Sequence, residues 1–177
     1  MKSSQVDCRQ VLYEESMFDG QKVSKSRIIT SVDYSMVSME AFEIYAANHD
    51  IHVMDFVLKL DAYSYYMMNL LDYLIGNTDR HWGNWGFLVD NRTNQPVRLF
   101  DLMDLNQTFL AYDTPDGANC MTTGNRKMSQ REAAVEAVKN IGLNQKDEIK
   151  DEWFKGREKE REMFWCRFGI LKEQWKA

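Results

Sequence analysis

The sequence has little of what would place a protein outside the cell, in a membrane or on nucleic acid. Its 177 residues include three cysteines, Cys8, Cys120 and Cys166, odd in number and far apart. No Cys-x-x-Cys and no Cys/His pair at ligand spacing accompanies them, so reduced structural thiols are expected rather than a disulfide framework or a zinc site. No apolar run approaches the roughly 20 residues that a membrane-spanning helix needs. The N-terminus, Met1-Lys2-Ser3-Ser4-Gln5, lacks the apolar core of a signal peptide. A cytoplasmic location away from membranes is expected. Basic charge is in deficit: 22 Lys and Arg against 27 Asp and Glu give a net charge of −5. That argues against a DNA or RNA partner, although an acidic protein still binds a nucleotide through its magnesium ion. Glycine is scarce early in the chain, with Gly20 alone before Gly76.

What is present is ordinary for a globular protein, at 44% hydrophobic and 28% charged residues. The length suits one domain with a real core and is too short for two. We therefore read 1–177 as a single α+β domain, mostly helical, in three parts. Residues 1–35 look extended, with short strands at Val11–Tyr13 and Arg27–Thr30 and a loop or hairpin at Gly20. Residues 36–128 form the core region. In it, 36–49 read as a helix capped by Ser35 or Ser38, and 53–60 as an amphipathic stretch. Asp61 then precedes a buried helix from Ala62 to Ile75, stopped by Gly76. His49 and His52 lie three apart with no third ligand nearby, which favours no metal there. Trp85–Val89 and Val97–Phe100 flank the polar turn Asp90–Pro96 as a β-hairpin. Residues 102–128 read as loop, with turn chemistry at Asp113–Gly117 and Thr122–Asn125. Residues 129–177 close the chain with helices. Ser129 and Glu132 form a capping box for a helix to Asn140, and helices follow at Lys146–Lys155 and Arg157–Trp175. The charges Arg157 to Glu162 alternate in sign and read as a solvated face.

One stretch stands apart: Gly76-Asn77-Thr78-Asp79-Arg80-His81-Trp82-Gly83-Asn84-Trp85-Gly86, followed by Phe100-Asp101. A rigid buried helix ending at Gly76 holds Asp79 on a short tether. The hairpin starts just after Asn84 and ends just before Asp101, so an antiparallel pairing brings those two side by side. Phosphoryl transfer needs such a set. One carboxylate orients the attacking hydroxyl, while an amide and a second carboxylate hold magnesium through oxygen. Asp-x-x-x-x-Asn, then a hairpin and a further Asp, is the kinase catalytic-loop arrangement. Asp104 rivals Asp101 as a metal ligand, and Arg80 is expected to brace the loop by ion pairing. A metal-dependent phosphohydrolase would need a second ligand cluster, which the sequence does not offer.

The spelling Asp79-Arg80-His81-x-x-Asn84 resembles the catalytic loop of the atypical kinases. That branch holds the phosphoinositide kinases and the HipA-like serine/threonine kinases of bacterial toxin–antitoxin modules. The resemblance to the HipA-like proteins covers about residues 10–110, most sharply 70–105. It implies Mg2+ and ATP as cofactors. It implies catalytic roles for Asp79 and for His81, which would hold the loop or bond the γ-phosphate, and metal binding by Asn84 and Asp101. It implies a protein Ser or Thr as substrate, or a separate small-lobe or antitoxin protein as partner. The chain departs from the pattern in its first part. Fewer than eighty residues precede Asp79, no glycine-rich loop occurs among them, and Lys22 and Lys25 lie in no Val-Ala-Ile-Lys-like strand. The expectation is a kinase large lobe without its small lobe: a fragment, a natural truncation or one half of a split kinase. The alternative is a catalytically inactive binding or regulatory module of the same fold.

Overall fold

The protein is described here by a computed structural model covering residues 9–105, 107–109, 114–124, 126–143 and 149–176. Cys8, Asn106, Asp113, Asn125 and the start of the expected Lys146–Lys155 helix lie outside those residues. The architecture is mixed, with four α-helices and two small antiparallel sheets.

The first sheet is a two-stranded ribbon, β1 (Tyr13–Phe18) and β2 (Gln21–Ser26), with Tyr13 opposite Ser26. This shifts both expected early strands. The reason is Asp19-Gly20: both residues take positive φ, 49° and 75°, and Asp-Gly in that conformation makes the tight hairpin turn. Arg27–Thr30 is therefore past the ribbon, and Val11 and Leu12 precede it.

The second sheet runs β3 (Tyr34–Ser38), β4 (Gly86–Asp90), β5 (Gln95–Leu99), in that order and antiparallel throughout. The β4–β5 hairpin is the expected one. β3 corrects the helix read over 36–49. Met36 and Val37 face Leu88 and Phe87 across the sheet, so strand pairing wins over helical spacing there. Gly86 makes the pairing possible, because a Cβ on it would come within 2.1 Å of the Val37 carbonyl oxygen. Helix α1 (Met39–Ala47) then starts at Ser38, whose hydroxyl accepts the Ala41 N–H at 3.2 Å.

Helix α2 (Val53–Ile75) joins the two expected stretches into one element broken at Asp61, where φ is −155° and ψ 62°. Asp61 uses both carboxylate oxygens. One accepts the Ser64 N–H and so caps the second half; the other accepts the Leu99 N–H of β5 and pairs with Arg9 at 2.5 Å. α2 is the axis of the fold and touches β5, α3 (Gln130–Ile141) and α4 (Glu158–Lys176). Gly76 ends it in the left-handed conformation, φ 62°, as expected of a glycine stop.

The capping box at Ser129 and Glu132 is formed. The expected helix before Gly156 is, in its described part, one 3-10 turn at Asp151–Phe154. Arg167 was not foreseen: it is buried in α4, with one guanidinium nitrogen donating to the Tyr73 carbonyl at 2.6 Å and its charge over the Tyr73 ring. The core lies between α2, the three-stranded sheet, α1 and α3. At its centre Phe42 sits 4.6 Å from Phe87 and 4.9 Å from Phe56 between ring centroids. Phe42 and Phe87, both buried, each contribute about 1.5–3 kcal/mol over the exposed state. Among the described residues no helix is long and apolar enough to cross a membrane.

Candidate functional site

The loop from Asn77 to Trp85 leaves α2 and enters β4 over a floor of buried polar groups. Asp72, in the last turns of α2, is the foundation. Arg80 reaches back to it with two nitrogens, Nε at 2.8 Å and Nη2 at 3.0 Å, and both side chains are almost fully buried. The remaining terminal nitrogen of Arg80 donates to the carbonyls of Asn84, 3.1 Å, and Met103, 3.0 Å. One guanidinium thus ties the helix end, the loop and the segment after β5 together, in the bidentate geometry that suits arginine. Asn77, also buried, donates to Asp72 at 2.8 Å, accepts from the Asp79 N–H at 3.3 Å, and takes the Gln130 amide on its carbonyl. Arg80 braces the loop as its sequence position implied. Asp72, Asn77 and Gln130 were missed. A signal for Asp72 existed: an acid amid the apolar stripe of a buried helix requires a partner.

On this floor the reactive groups stand up. Asn84 closes the loop, donating to the Asp79 carbonyl at 2.6 Å and accepting the His81 N–H at 3.1 Å. His81 accepts the Gly83 N–H on Nδ1 at 3.0 Å. In its neutral form the ring therefore carries its proton on Nε2 and presents a donor. Asp79, His81 and Asp104 converge, with one ligand atom of each within 4.8 Å of the others. Asp104 takes a left-handed φ of 56°, and the Arg80–Met103 bond holds the residue before it.

Asp101 is placed differently. Its carboxylate accepts from Arg98 at 2.6 Å and is half-buried. It does share a narrow cleft with Asn84, floored by Met67 and Met68 of α2 and bounded by Arg9. The hairpin brings Asn84 and Asp101 to one cleft, and it brings Asp104, rather than Asp101, to Asp79 and His81. The first described residues run beside this cleft. Leu102 exchanges backbone bonds with Arg9 and Val11, at 2.9 and 2.7 Å, so residues 9–11 form a short parallel bridge next to Asp101.

His49 and His52 serve the helices. His49 stacks on Tyr45 and bonds its carbonyl at 2.8 Å, and His52 caps α2. Cys120 is half-buried among Asn69 and Thr122, and burial pushes its thiol pKa up, which disfavours the thiolate. Burial likewise pushes Tyr65 and Tyr73 up to about 12. The Tyr73 hydroxyl donates to the Pro115 carbonyl at 2.6 Å, tying the helix before the loop to the chain after Asp104.

The donor set suits a hard cation. Asp79 and Asp104 offer carboxylate oxygens, and the Asn84 amide oxygen keeps a second lone pair beyond the one used by His81. His81, with Nδ1 engaged, suits a phosphate oxygen better than a metal.

No protein family and no curated protein matches the sequence. Among solved structures the chain is similar to the Helicobacter pylori proinflammatory kinase CtkA. The sequences are 15% identical, and the superposition covers 94% of this chain and 76% of that one with a TM-score of 0.52. At that identity the likeness is one of fold, and the fold is kinase-like.

Proposed function

We propose that the chain is the catalytic large lobe of a HipA-like serine/threonine protein kinase that uses magnesium-ATP. The observation that carries this reading is the convergence of Asp79, His81 and Asp104 on a loop locked from below by Arg80 and Asp72. Catalysis of phosphoryl transfer is mostly positioning and charge stabilisation, and a loop cross-braced by buried ion pairs supplies positioning.

In this reading Asp79 would accept a hydrogen bond from the substrate hydroxyl and take its proton as that oxygen bonds to the γ-phosphorus and ADP leaves. His81 donates from Nε2 to a phosphate oxygen. Asn84 with Asp101, and Asp104 beside Asp79, would hold the magnesium ions. When bound, magnesium-ATP supplies the phosphoryl group and the positive charge that offsets the charge of the transition state. The site belongs in the cytoplasm, where both are plentiful.

The test is calorimetry with ATP and magnesium, paired with transfer of labelled γ-phosphate to a mixed serine/threonine protein substrate. Magnesium-dependent binding and transfer are expected in the native chain. Asp79→Asn should keep binding and lose transfer by about 100-fold or more. Asp101→Ala should lose both. Binding that ignores magnesium, or transfer that survives Asp79→Asn, would overturn the reading.

A second reading, one half of a split kinase, draws on the β1–β2 ribbon, which is exposed on both faces and flanked by exposed Leu12 and Ile28. Nucleotide binding would then appear only when a separate small-lobe protein is added. An inactive regulatory module would bind that partner and still transfer nothing.

A further inference from the structure

A second concavity lies apart from the Asn84–Asp101 cleft. It is an open groove of about 650 Å³ between the end of α1, the first turns of α2, Thr123, Gly124 and Arg126, and Glu136 of α3. Its floor is apolar: Ile51, Val53, Met54 and Leu58, all partly buried, belong to the edge of the main core. Its rim is acidic. Glu136 and Arg126 neutralise one another through two contacts, 3.0 and 3.2 Å. Glu43 and Asp55 remain, and among the described residues the one ion pair to either is His52 to Asp55 at 3.1 Å. Among the described residues, therefore, no Lys or Arg offsets Glu43 or Asp55. Partial burial raises the Glu43 pKa, which marks a carboxyl group that a cation would stabilise.

The groove is joined to the loop that bears Asp79. The Trp82 indole N–H donates to the Met121 carbonyl at 2.5 Å, two residues before the groove wall begins at Thr123. On the other side the Glu40 N–H donates to the Trp82 carbonyl at 3.1 Å, one turn of α1 before Glu43. Trp82, between His81 and Gly83, thus bonds to both chain segments that lead into the groove walls.

We propose that this groove is the substrate-docking site of the kinase and takes a peptide segment with a basic side chain next to an aliphatic one. The aliphatic residue lies on the Met54–Leu58 floor, and the basic residue reaches Glu43 and Asp55. The inference rests on the kinase reading for its purpose, but not for its chemistry. It narrows the substrate class to proteins whose acceptor Ser or Thr is flanked by basic and aliphatic residues, and it disfavours acidic flanks by like-charge repulsion.

The test uses two fluorescein-labelled serine peptides of equal length. One carries two arginines and two leucines, and the other has glutamates in place of the arginines. Anisotropy is measured on the full chain without nucleotide, and phosphoryl transfer is measured separately with magnesium-ATP. The basic peptide should bind at least about ten-fold more tightly than the acidic one, and more weakly as salt rises through the Debye range. Glu43→Gln with Asp55→Asn, both at the surface, should remove about five- to ten-fold of that affinity while the thermal midpoint holds. Should the double variant melt early, the salt titration on the native chain decides instead. Equal affinity for the two peptides, no binding of either, or a salt-insensitive preference would overturn the proposal. Preferential binding without any transfer would leave the groove standing and sink the kinase reading. Transfer to both peptides at equal efficiency would do the reverse.

Discussion

Among the described residues are two hairpins of similar length with opposite surroundings. In β1–β2 only Ser16 and Val23 are even partly covered, and Phe18 is 76% exposed. In β4–β5 the whole of β4 up to Val89 is buried, and Phe87 is 0% exposed. Turn chemistry makes both, Asp-Gly in one and the Asp90–Asn94 turn in the other. Among the described residues the second is the one packed against other elements: β3 along one edge, and the Asp61 carboxylate on the Leu99 N–H. A two-stranded ribbon alone is marginal in water. Turn residues thus decide where the chain reverses, and tertiary burial decides which reversal can hold the side chains of the candidate site. Asn84 precedes the buried ribbon and Asp101 follows it.

The sharpest way to break this contrast is a matched pair of truncations. Phe87→Ala should cost about 3–5 kcal/mol, because it opens a cavity against Phe42 and Phe56. Phe18→Ala should stay within about 0.5 kcal/mol of the native chain. Urea unfolding followed by tryptophan fluorescence reads both. Similar losses would mean that the first ribbon is covered in solution and that the two hairpins are not opposites.

Under the buried ribbon lies the Arg80–Asp72 pair. Arg80→Met should destabilise by about 3–5 kcal/mol, since it leaves Asp72 charged and dry. The double change Arg80→Met with Asp72→Leu should recover part of that loss, because the penalty lies in the orphaned charge. Equal loss in the single and double variants would show that Arg80 matters for its carbonyl contacts to Asn84 and Met103 instead.

These groups show what the sequence made legible. The Asp79–Asn84 loop, its Gly76 stop and the following hairpin could be read because each uses strong local chemistry. The capping box at Ser129 was equally plain. β3 was not readable, because Met36 and Val37 fit a helix as well as a strand until Phe87 and Leu88 are beside them. The ribbon's register was legible in Asp19-Gly20 and was overlooked, which shifted both strands. Asp72 and Arg167 were hidden for a different reason. A buried charge looks like any surface charge in sequence until the partner that satisfies it is known. The placing of Asp104 beside Asp79, with Asp101 on Arg98, goes with a left-handed turn at Asp104, and aspartate tolerates that conformation at many positions without marking this one.

Alkaline pH tests the same burial by another route. Tyr65 and Tyr73 have pKa values raised from 10.0 to about 12. Above pH 10 the unfolded chain releases these protons while the folded chain keeps them. Stability is therefore fully present below pH 10 and falls as pH rises toward 12. Thermal midpoints at pH 9 and pH 11 should show the drop, and Tyr65→Phe should make it shallower. A flat profile would mean that water reaches both hydroxyls.

The smallest expected effect is the most informative about the first ribbon. Replacing residues 13–26 by a short Gly/Ser linker removes strands that touch little but each other, so unfolding free energy should change by less than about 0.5 kcal/mol. Arg9 and Val11 must stay, because their backbone pairs with Leu102 and the Arg9 side chain holds Asp61. If the ribbon's purpose is to meet a separate small-lobe protein, the linker variant should keep its stability and its affinity for the basic peptide, yet lose whatever nucleotide binding that protein restores. Loss of stability instead would make the ribbon part of this fold. The contrast between the two hairpins would then be one of degree, set by how much each buries rather than by whether it is anchored.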